Sequence, residues 1–363
     1  MDILMTFLIE PNIAPVAAED RAKMLENPGF GTCFTDHMVT IKYTEGQGWH
    51  DAKVQARGPI LLDPATAVLH YAQEIFEGMK AYKLADGSMA LFRPDANAAR
   101  FNRSATRLAM PTLPEELFFE SVRALTHIDR DWFPAVEGGA IYLRPFMFAS
   151  EVFLGVRPAR EYLYMVIASA VGGYFKSGAP AIKIWVSQEF SRAAPGGTGA
   201  AKCGGNYAAS LVAQAEATAN GCDQVVFLDA AEHKWVEELG GMNLFFLFDD
   251  GRLLTPPTSG TILEGITRDS IITLARGQGL SVEEAPYSID QWRADAASGA
   301  LTECFACGTA AVVTPVGTVA SPQGTFTIGA GGPGQMTQSL QSQLVNIQRG
   351  VAPDPHGWVV RID

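Results

Sequence analysis

Gly196-Gly197-Thr198-Gly199-Ala200-Ala201-Lys202-Cys203-Gly204-Gly205-Asn206-Tyr207 is the stretch from which the rest of the chain is read. One lysine sits among small residues, where its amine is the only strongly nucleophilic group of any length. Glycine adopts backbone conformations that clash for other residues and lets a bulky ligand approach the chain closely. A partly desolvated lysine in such a setting loses its proton near neutral pH and attacks a carbonyl to form a Schiff base. Taken alone, the pattern more commonly marks a surface lysine on a flexible glycine loop. The segments that follow reverse that balance.

The chain has 363 residues, beyond the size at which one core usually keeps growing, so two domains are expected. The Gly/Pro/Ser-rich stretch between Ala168 and Pro180 is the place for a linker. The division read from it is 1–172 for an N-terminal domain, 173–185 for the linker and 186–363 for a C-terminal domain. A formal net charge of -12 argues against nucleic acid as a partner. No apolar run reaches the roughly 20 residues that span a bilayer, which predicts no membrane partner. The opening Met1 to Glu10 has a greasy patch but no basic flank, and reads poorly as a targeting segment. Five scattered cysteines, Cys33, Cys203, Cys222, Cys304 and Cys307, argue against a disulfide framework and for a reducing cytoplasm. Cys304-Phe305-Ala306-Cys307 has C-x-x-C spacing, yet a zinc site needs a second pair and none is nearby, so no metal is expected.

Periodicity predicts interleaved strands and helices. Phe34 to Leu62 alternates around Glu45-Gly46-Gln47-Gly48 as a hairpin, and Lys80–Lys83 with Met89–Phe92 flank the tight turn Asp86-Gly87 as a second one. Pro94 and Asp95 open a helix whose spacing of Ala98, Phe101, Ala105 and Leu108 gives it one apolar face. Further helices are expected over Pro114–Ile128, Tyr207–Ala219, Gly265–Arg276 and Gln335–Arg349. Strands are expected over Gly139–Phe148, Glu161–Ala170, Ile182–Val186, Gln224–Leu228, Lys234–Leu239, Asn243–Phe248 and Arg252–Leu254, with two more on either side of a Gly-Thr turn between Leu301 and Val313. Such a mixture implies an α+β protein with two lobes, and ligands often bind at domain interfaces.

Five further elements would serve a lysine carrying a pyridine aldehyde. Trp235-Val236-Glu237-Glu238-Leu239-Gly240-Gly241-Met242-Asn243 places two glutamates side by side on a strand; they face opposite sides, so one of them can keep a pyridine nitrogen protonated while the ring draws electrons from a substrate carbanion. Tyr207 can hydrogen-bond the cofactor's phenolate oxygen. Leu263-Glu264-Gly265-Ile266-Thr267-Arg268 leads into a helix whose first N–H groups and dipole suit a phosphate. Gly308-Thr309-Ala310-Ala311 offers a second cluster of N–H and hydroxyl groups. Arg100, on the helix after Phe92-Arg93-Pro94, can add a fixed positive charge. Each has an ordinary structural meaning alone; their joint occurrence in this order is specific.

With these segments the chain resembles the branched-chain amino-acid aminotransferases of the fold-type IV pyridoxal-phosphate enzymes. Matching stretches run nearly end to end: Phe34-Thr35-Asp36-His37-Met38, Phe76-Glu77-Gly78-Met79-Lys80-Ala81-Tyr82, Phe92-Arg93-Pro94, Tyr142-Leu143-Arg144-Pro145, the Lys202 segment, Glu238 to Phe245, Gly265-Ile266-Thr267-Arg268 and Gly308-Thr309-Ala310. The resemblance implies a two-domain α+β fold, with a smaller α/β N-terminal domain and a larger pseudo-barrel C-terminal domain. It implies pyridoxal 5′-phosphate as cofactor, a homodimer, and amino transfer between leucine, isoleucine or valine and 2-oxoglutarate. It assigns Lys202 as the Schiff-base lysine, Tyr207 to the phenolate oxygen and Glu238, rather than Glu237, to the pyridine nitrogen. Arg100, Ile266, Thr267 and Thr309 match phosphate ligands, and Leu263 packs on the ring. The substrate pocket corresponds to Phe30, Tyr71, Phe76, Tyr142 and Tyr174, with Val156 reaching in from the partner subunit. Thr309, Ala310 and Gly241 would hold the α-carboxylate, and Arg144 with Tyr142 the second carboxylate of glutamate. Two places depart from the family. Ala311 and Thr314 stand where mammalian members carry a redox C-x-x-C, and Gly241 stands where threonine is common. The same scaffold also carries D-amino-acid transamination and aminodeoxychorismate lysis, and Arg144 with the aromatic cage argues against both. Intact Lys202, Tyr207 and Glu238 argue against a non-catalytic cofactor carrier.

Overall fold

The computed structural model describes residues 6–173 and 181–362. Its elements are, in order, β1 (Leu8–Ile9), α1 (Ala18–Glu26), β2 (Cys33–Thr44), β3 (Gly48–Ala56), α2 (Val68–Tyr71), β4 (Glu74–Phe76), β5 (Met79–Lys83), β6 (Met89–Phe92), α3 (Pro94–Arg107), α4 (Glu115–Ile128), β7 (Ala140–Ala149) and β8 (Glu161–Val171). They continue with β9 (Ile182–Val186), α5 (Gly204–Ala219), β10 (Gln224–Leu228), β11 (Val236–Leu239), β12 (Met242–Phe248), β13 (Arg252–Thr255), α6 (Ile266–Gly277), β14 (Ser281–Glu284), α7 (Ile289–Ser298), β15 (Leu301–Gly308), β16 (Val312–Ser321), β17 (Gly324–Thr327), α8 (Gln335–Gln348) and β18 (Val359–Arg361). Two compact units result. The first is Met1–Tyr174 with Ala201–Gly204 and Gln348–Asp363, and the second is Phe175–Ala200 with Gly205–Ile347. Set beside the division 1–172, 173–185 and 186–363, Ala201–Gly204 and Gln348–Asp363 are two pieces of the later chain that group with the first unit. The Lys202 segment and the C-terminal stretch both pack with the first unit. The expected linker also runs too far, because Ile184 and Val186 are fully buried in β9 and draw the sheet back to Ile182.

In the first unit the strands lie in the order β1-β3-β2-β8-β7-β5-β6-β18, and β4 adds to β7. Alternation along β7 decides its two faces. Ile141, Leu143 and Met147 are fully buried and join Phe101, Phe118, Val122 and Leu125 of α3 and α4 in the core. Tyr142, Arg144 and Phe146, on the other face, stay half-buried. The expected apolar face of α3 is the one that packs, through Ala98, Phe101 and Ala105.

In the second unit the order β11-β10-β9-β16-β15-β12 closes on itself through a β11–β12 pairing, which makes a six-stranded barrel with β13, β14 and β17 as extensions. Closure removes the unpaired edges of an open sheet. Gly240 and Gly241 link β11 to β12, whose pairing runs from Leu239–Met242, and Gly240 takes a φ of 60°. Glycine accepts that left-handed backbone at no steric cost, which allows so short a hairpin loop. The Thr309–Ala311 turn between β15 and β16 lies at the same end, since a Cβ on Gly308 would stand 4.0 Å from the Gly241 carbonyl oxygen.

One buried charge is a local conflict in the first unit. Burial, with the Arg349 cation nearby, lowers the Lys80 pKa from 10.5 to about 8. Between those values the unfolded chain carries a proton that the folded chain has lost, so this group makes stability rise with pH across that window. Paired thermal melts should therefore show the wild type gaining stability relative to Lys80→Met as the pH rises from 8 to 10.5.

Candidate active site

Lys202 is fixed by its backbone. Its N–H donates to Ser104 Oγ at 2.9 Å, and its carbonyl accepts from the Phe76 N–H at 2.9 Å. Two residues on, the Gly204 N–H donates to the Glu74 carboxylate. β4 thus grips the lysine segment at both ends, and the Lys202 Nζ lies 4.9 Å over the Phe76 ring. The same face of the sheet carries Arg144, with its guanidinium 4.6 Å over Phe76 and Nη2 donating to Tyr142 Oη at 3.2 Å. Arg144 Nε is buried and has no hydrogen-bond partner among the described residues. Phe30 packs edge-on to Tyr142 at 5.0 Å. A Cβ on Gly78 would overlap the Tyr142 hydroxyl, so only glycine lets that ring lie where it does. Tyr71 donates to the Leu154 carbonyl in the loop that exposes Val156, which is 90% accessible.

Arg100, on α3, is buried and holds Glu77 with two parallel bonds, Nε to Oε1 at 2.7 Å and Nη2 to Oε2 at 2.8 Å. A planar fork suits a carboxylate in this way. One edge of the expected phosphate ligand is therefore already committed to a protein carboxylate.

The second unit gathers the remaining expected residues at one end of the barrel. Glu238 is 1% exposed. Its Oε1 accepts the Leu263 N–H at 2.5 Å, and its Oε2 lies 2.8 Å from Arg192 Nε. Arg192, also buried, reaches the Thr261 carbonyl at 2.8 Å and the Gly199 carbonyl at 3.3 Å. Glu237 faces Thr261 instead, accepting its hydroxyl at 2.5 Å. Burial pushes the Glu237 carboxyl up, a rise that the Thr261 bond opposes. Asn243 Nδ2 donates to the Leu263 carbonyl at 3.1 Å, and Gly265 needs to be glycine because a Cβ would overlap the Asn243 amide oxygen. That glycine is the N-cap of α6, so Ile266 and Thr267 form the helix's first turn, where N–H groups lack intrahelical acceptors. The Tyr207 ring stands 3.4 Å from where a Cβ on Gly241 would be, an ordinary contact. The hydroxyl that other sequences carry at that position is therefore absent here without steric cause. Thr198 and Asn206 clasp each other, Oγ1 to Oδ1 at 2.7 Å and Nδ2 to the carbonyl at 2.9 Å, and tie the glycine loop to the start of α5.

Comparison with known proteins fits this chemistry. The amino-transferase class IV family matches residues 74–319. The chain belongs to the class IV aminotransferases. A branched-chain-amino-acid aminotransferase of Mycolicibacterium smegmatis is 55% identical, covering 99% of both chains. Branched-chain-amino-acid transaminase 1 of Bacillus subtilis is 46% identical over 92% of this chain and 94% of its own. The crystal structure of a T.th. branched-chain amino acid aminotransferase with pyridoxamine 5′-phosphate superposes with a TM-score of 0.73 at 29% identity, covering 89% of this chain and 98% of that one.

Within this class IV aminotransferase, the expected residues fall into two groups. Phe30, Tyr71, Phe76, Arg100, Tyr142, Arg144, Val156 and Lys202 belong to the first unit, and Tyr207, Glu238, Gly241, Leu263, Ile266, Thr267, Thr309 and Ala310 to the second. Tyr174 lies outside the described residues. Arg192, Glu77, Glu74, Ser104, Thr261 and Asn243 are residues of the site that the sequence pattern does not single out. Glu77 stands in one of the matching stretches, and Arg192 is the one long cation in the small-residue run leading to Lys202; neither has a sequence neighbour that announces its partner. Burial drives both C-x-x-C thiols above their ordinary pKa, which opposes thiolate chemistry at Cys304 and Cys307.

Each unit carries donors of the kinds that pyridoxal phosphate takes: an amine in the first, and a buried carboxylate beside an arginine and a helix N-terminus in the second. Removing Arg192 breaks its contacts to the Glu238 carboxylate and to the Thr261 and Gly199 carbonyls, and breaking such a buried pair costs about 3 kcal/mol or more. Arg192→Gln is expected to lower the melting temperature by several degrees and to weaken pyridoxal phosphate binding, read by melting with and without cofactor, whereas Arg192→Lys should recover part of both.

Proposed function

We propose that this chain is a branched-chain-amino-acid aminotransferase that uses pyridoxal 5′-phosphate to move an amino group reversibly between leucine, isoleucine or valine and 2-oxoglutarate, giving branched-chain 2-oxo acids and L-glutamate. One observation carries the reading. The wall that fixes Lys202 is aromatic, through Phe76, Tyr142 and Phe30, yet it holds the Arg144 guanidinium, whose buried Nε has no hydrogen-bond partner among the described residues. An apolar wall suits branched alkyl chains. A lone guanidinium suits the second carboxylate of glutamate.

When bound, the cofactor supplies a ring that withdraws electrons from the substrate Cα. Lys202 would hold the group through Nζ, and the same atom would take up and return the substrate Cα proton. Glu238 would face the ring nitrogen, and Arg192 Nε, 2.8 Å from its Oε2, would hold the carboxylate in place. Tyr207 donates to the phenolate oxygen, and Leu263 packs on the ring. Arg100, the N–H groups of Ile266 and Thr267, and Thr309 hold the phosphate. Gly241, Thr309 and Ala310 hold the substrate α-carboxylate, while Tyr71 closes the apolar side. The second half-reaction reverses these steps with 2-oxoglutarate, which gives ping-pong kinetics.

The working form is a homodimer in which Val156 of each subunit enters the pocket of the other. Support comes from the apolar side chains that the first unit leaves exposed, Leu69, Tyr71, Val152, Leu154 and Val156. Among the described residues no helix is long and apolar enough to cross a membrane. The free thiols of all five cysteines support a cytoplasmic location.

The visible spectrum of the holoenzyme should change on adding leucine and recover on adding 2-oxoglutarate; a spectrum indifferent to leucine would refute the assignment. Lys202→Ala should abolish turnover while keeping some non-covalent cofactor. Glu238→Gln should slow leucine turnover by about 100-fold or more and Glu237→Gln by less than about tenfold, measured as kcat. Arg144→Ala should raise KM for glutamate far more than for leucine.

A further inference from the structure

The wall that carries Arg144 also carries a carboxylate. β4 pairs antiparallel with β7 in a register that sets Glu74 opposite Phe148 and Phe76 opposite Phe146. Alternation puts Glu74 and Phe76 on one face, with Arg144 and Tyr142 further along the same face of β7. From there Arg144 reaches back over the Phe76 ring, towards Glu74. The two charges interact: burial raises the Glu74 pKa, while the Gly204 N–H and then Arg144 pull it down. Glu74 therefore has two attachments, a backbone N–H next to Lys202 and the field of the pocket's cation.

This bears on a difficulty in the proposed reaction. A branched alkyl chain filling the pocket leaves the Arg144 guanidinium without a substrate partner in a half-buried apolar setting, which is costly. A second carboxylate removes that cost by pairing with it. An arginine alone would bind the dicarboxylic substrate at the expense of the alkyl one. We propose that Glu74 is a specificity-determining residue: its carboxylate balances Arg144 when an alkyl side chain occupies the pocket and competes for Arg144 when the second carboxylate of glutamate or 2-oxoglutarate enters. The proposal rests on the reading of Arg144 as the carboxylate site.

Glu74→Gln tests it, because glutamine keeps an oxygen acceptor for the Gly204 N–H and removes only the charge. Steady-state kinetics of the holoenzyme should show KM for 2-oxoglutarate falling about fivefold and kcat/KM for leucine falling about twofold, from loss of one nearby charge interaction. These opposite directions separate the idea from a merely structural role, since poor positioning of Lys202 would depress both substrates together. Glu74→Ala should add such a general loss in kcat while keeping the shift in the substrate ratio. A ratio unmoved in both variants, or a shift that persists in an Arg144→Ala background, overturns the proposal and leaves the Arg144 reading intact. If Arg144→Ala alone fails to penalise glutamate selectively, the reading beneath it falls, and the proposal with it.

Discussion

The structure depends first on the backbone clamp around Lys202. Ser104 takes its N–H, Phe76 donates to its carbonyl, and Glu74 takes the N–H of Gly204. A lysine side chain has roughly 2 kcal/mol of rotamer entropy of its own, and freedom in the backbone beneath it would multiply the positions of its amine. With both flanks held, only the side chain remains to be placed. The clamp in turn depends on a three-residue strand that is stable because its other edge joins β7. It also depends on Gly204, where a Cβ would overlap the Glu74 carboxylate.

Charges are then placed by a second rule, repeated in each unit. Arg100 with Glu77, and Arg192 with Glu238, are buried arginine–glutamate pairs. Taking two ions out of water is expensive, and an apolar replacement of the same shape is often as stable. What such a pair provides is orientation: the Arg100 fork holds both oxygens of Glu77, and Arg192 Nε holds one oxygen of Glu238. Glu238 gains most, since the Leu263 N–H fixes its other oxygen and Asn243 fixes the Leu263 carbonyl. Glu237, one residue earlier, has a hydroxyl instead of a guanidinium and is pushed towards its neutral form. Two adjacent identical side chains are thus separated by their partners.

The parts of this arrangement legible in the sequence are those carried by local pattern. The hairpin turn at Asp86-Gly87, the apolar face of α3 and the start of α6 all rest on residues within a few positions of one another. Missed elements rest on long-range contacts. β1 and β18 exist because β3 and β6 offer edges to pair with. α7 has a Ser288 N-cap, a left-handed Gly299 at its end and Trp292 buried beneath it, but its short length and polar composition hide the pattern. Assignment of Lys202 to the first unit likewise follows from bonds to Ser104 and Phe76, about a hundred residues away in the chain. Arg192 is invisible for the same reason: its partners Thr261 and Glu238 meet it only once the barrel closes.

The strands that clamp Lys202 also order the side chains around Arg144. Gly78 gives up its side chain so that Tyr142 can lie flat against the turn of the strand. From that position the Tyr142 hydroxyl accepts one Arg144 nitrogen, and Phe76 supports the plane of the guanidinium from below. With one edge tethered and one face stacked, the guanidinium has little choice of orientation. A methyl group at Gly78 would displace the Tyr142 ring first and the Arg144 guanidinium tethered to its hydroxyl second.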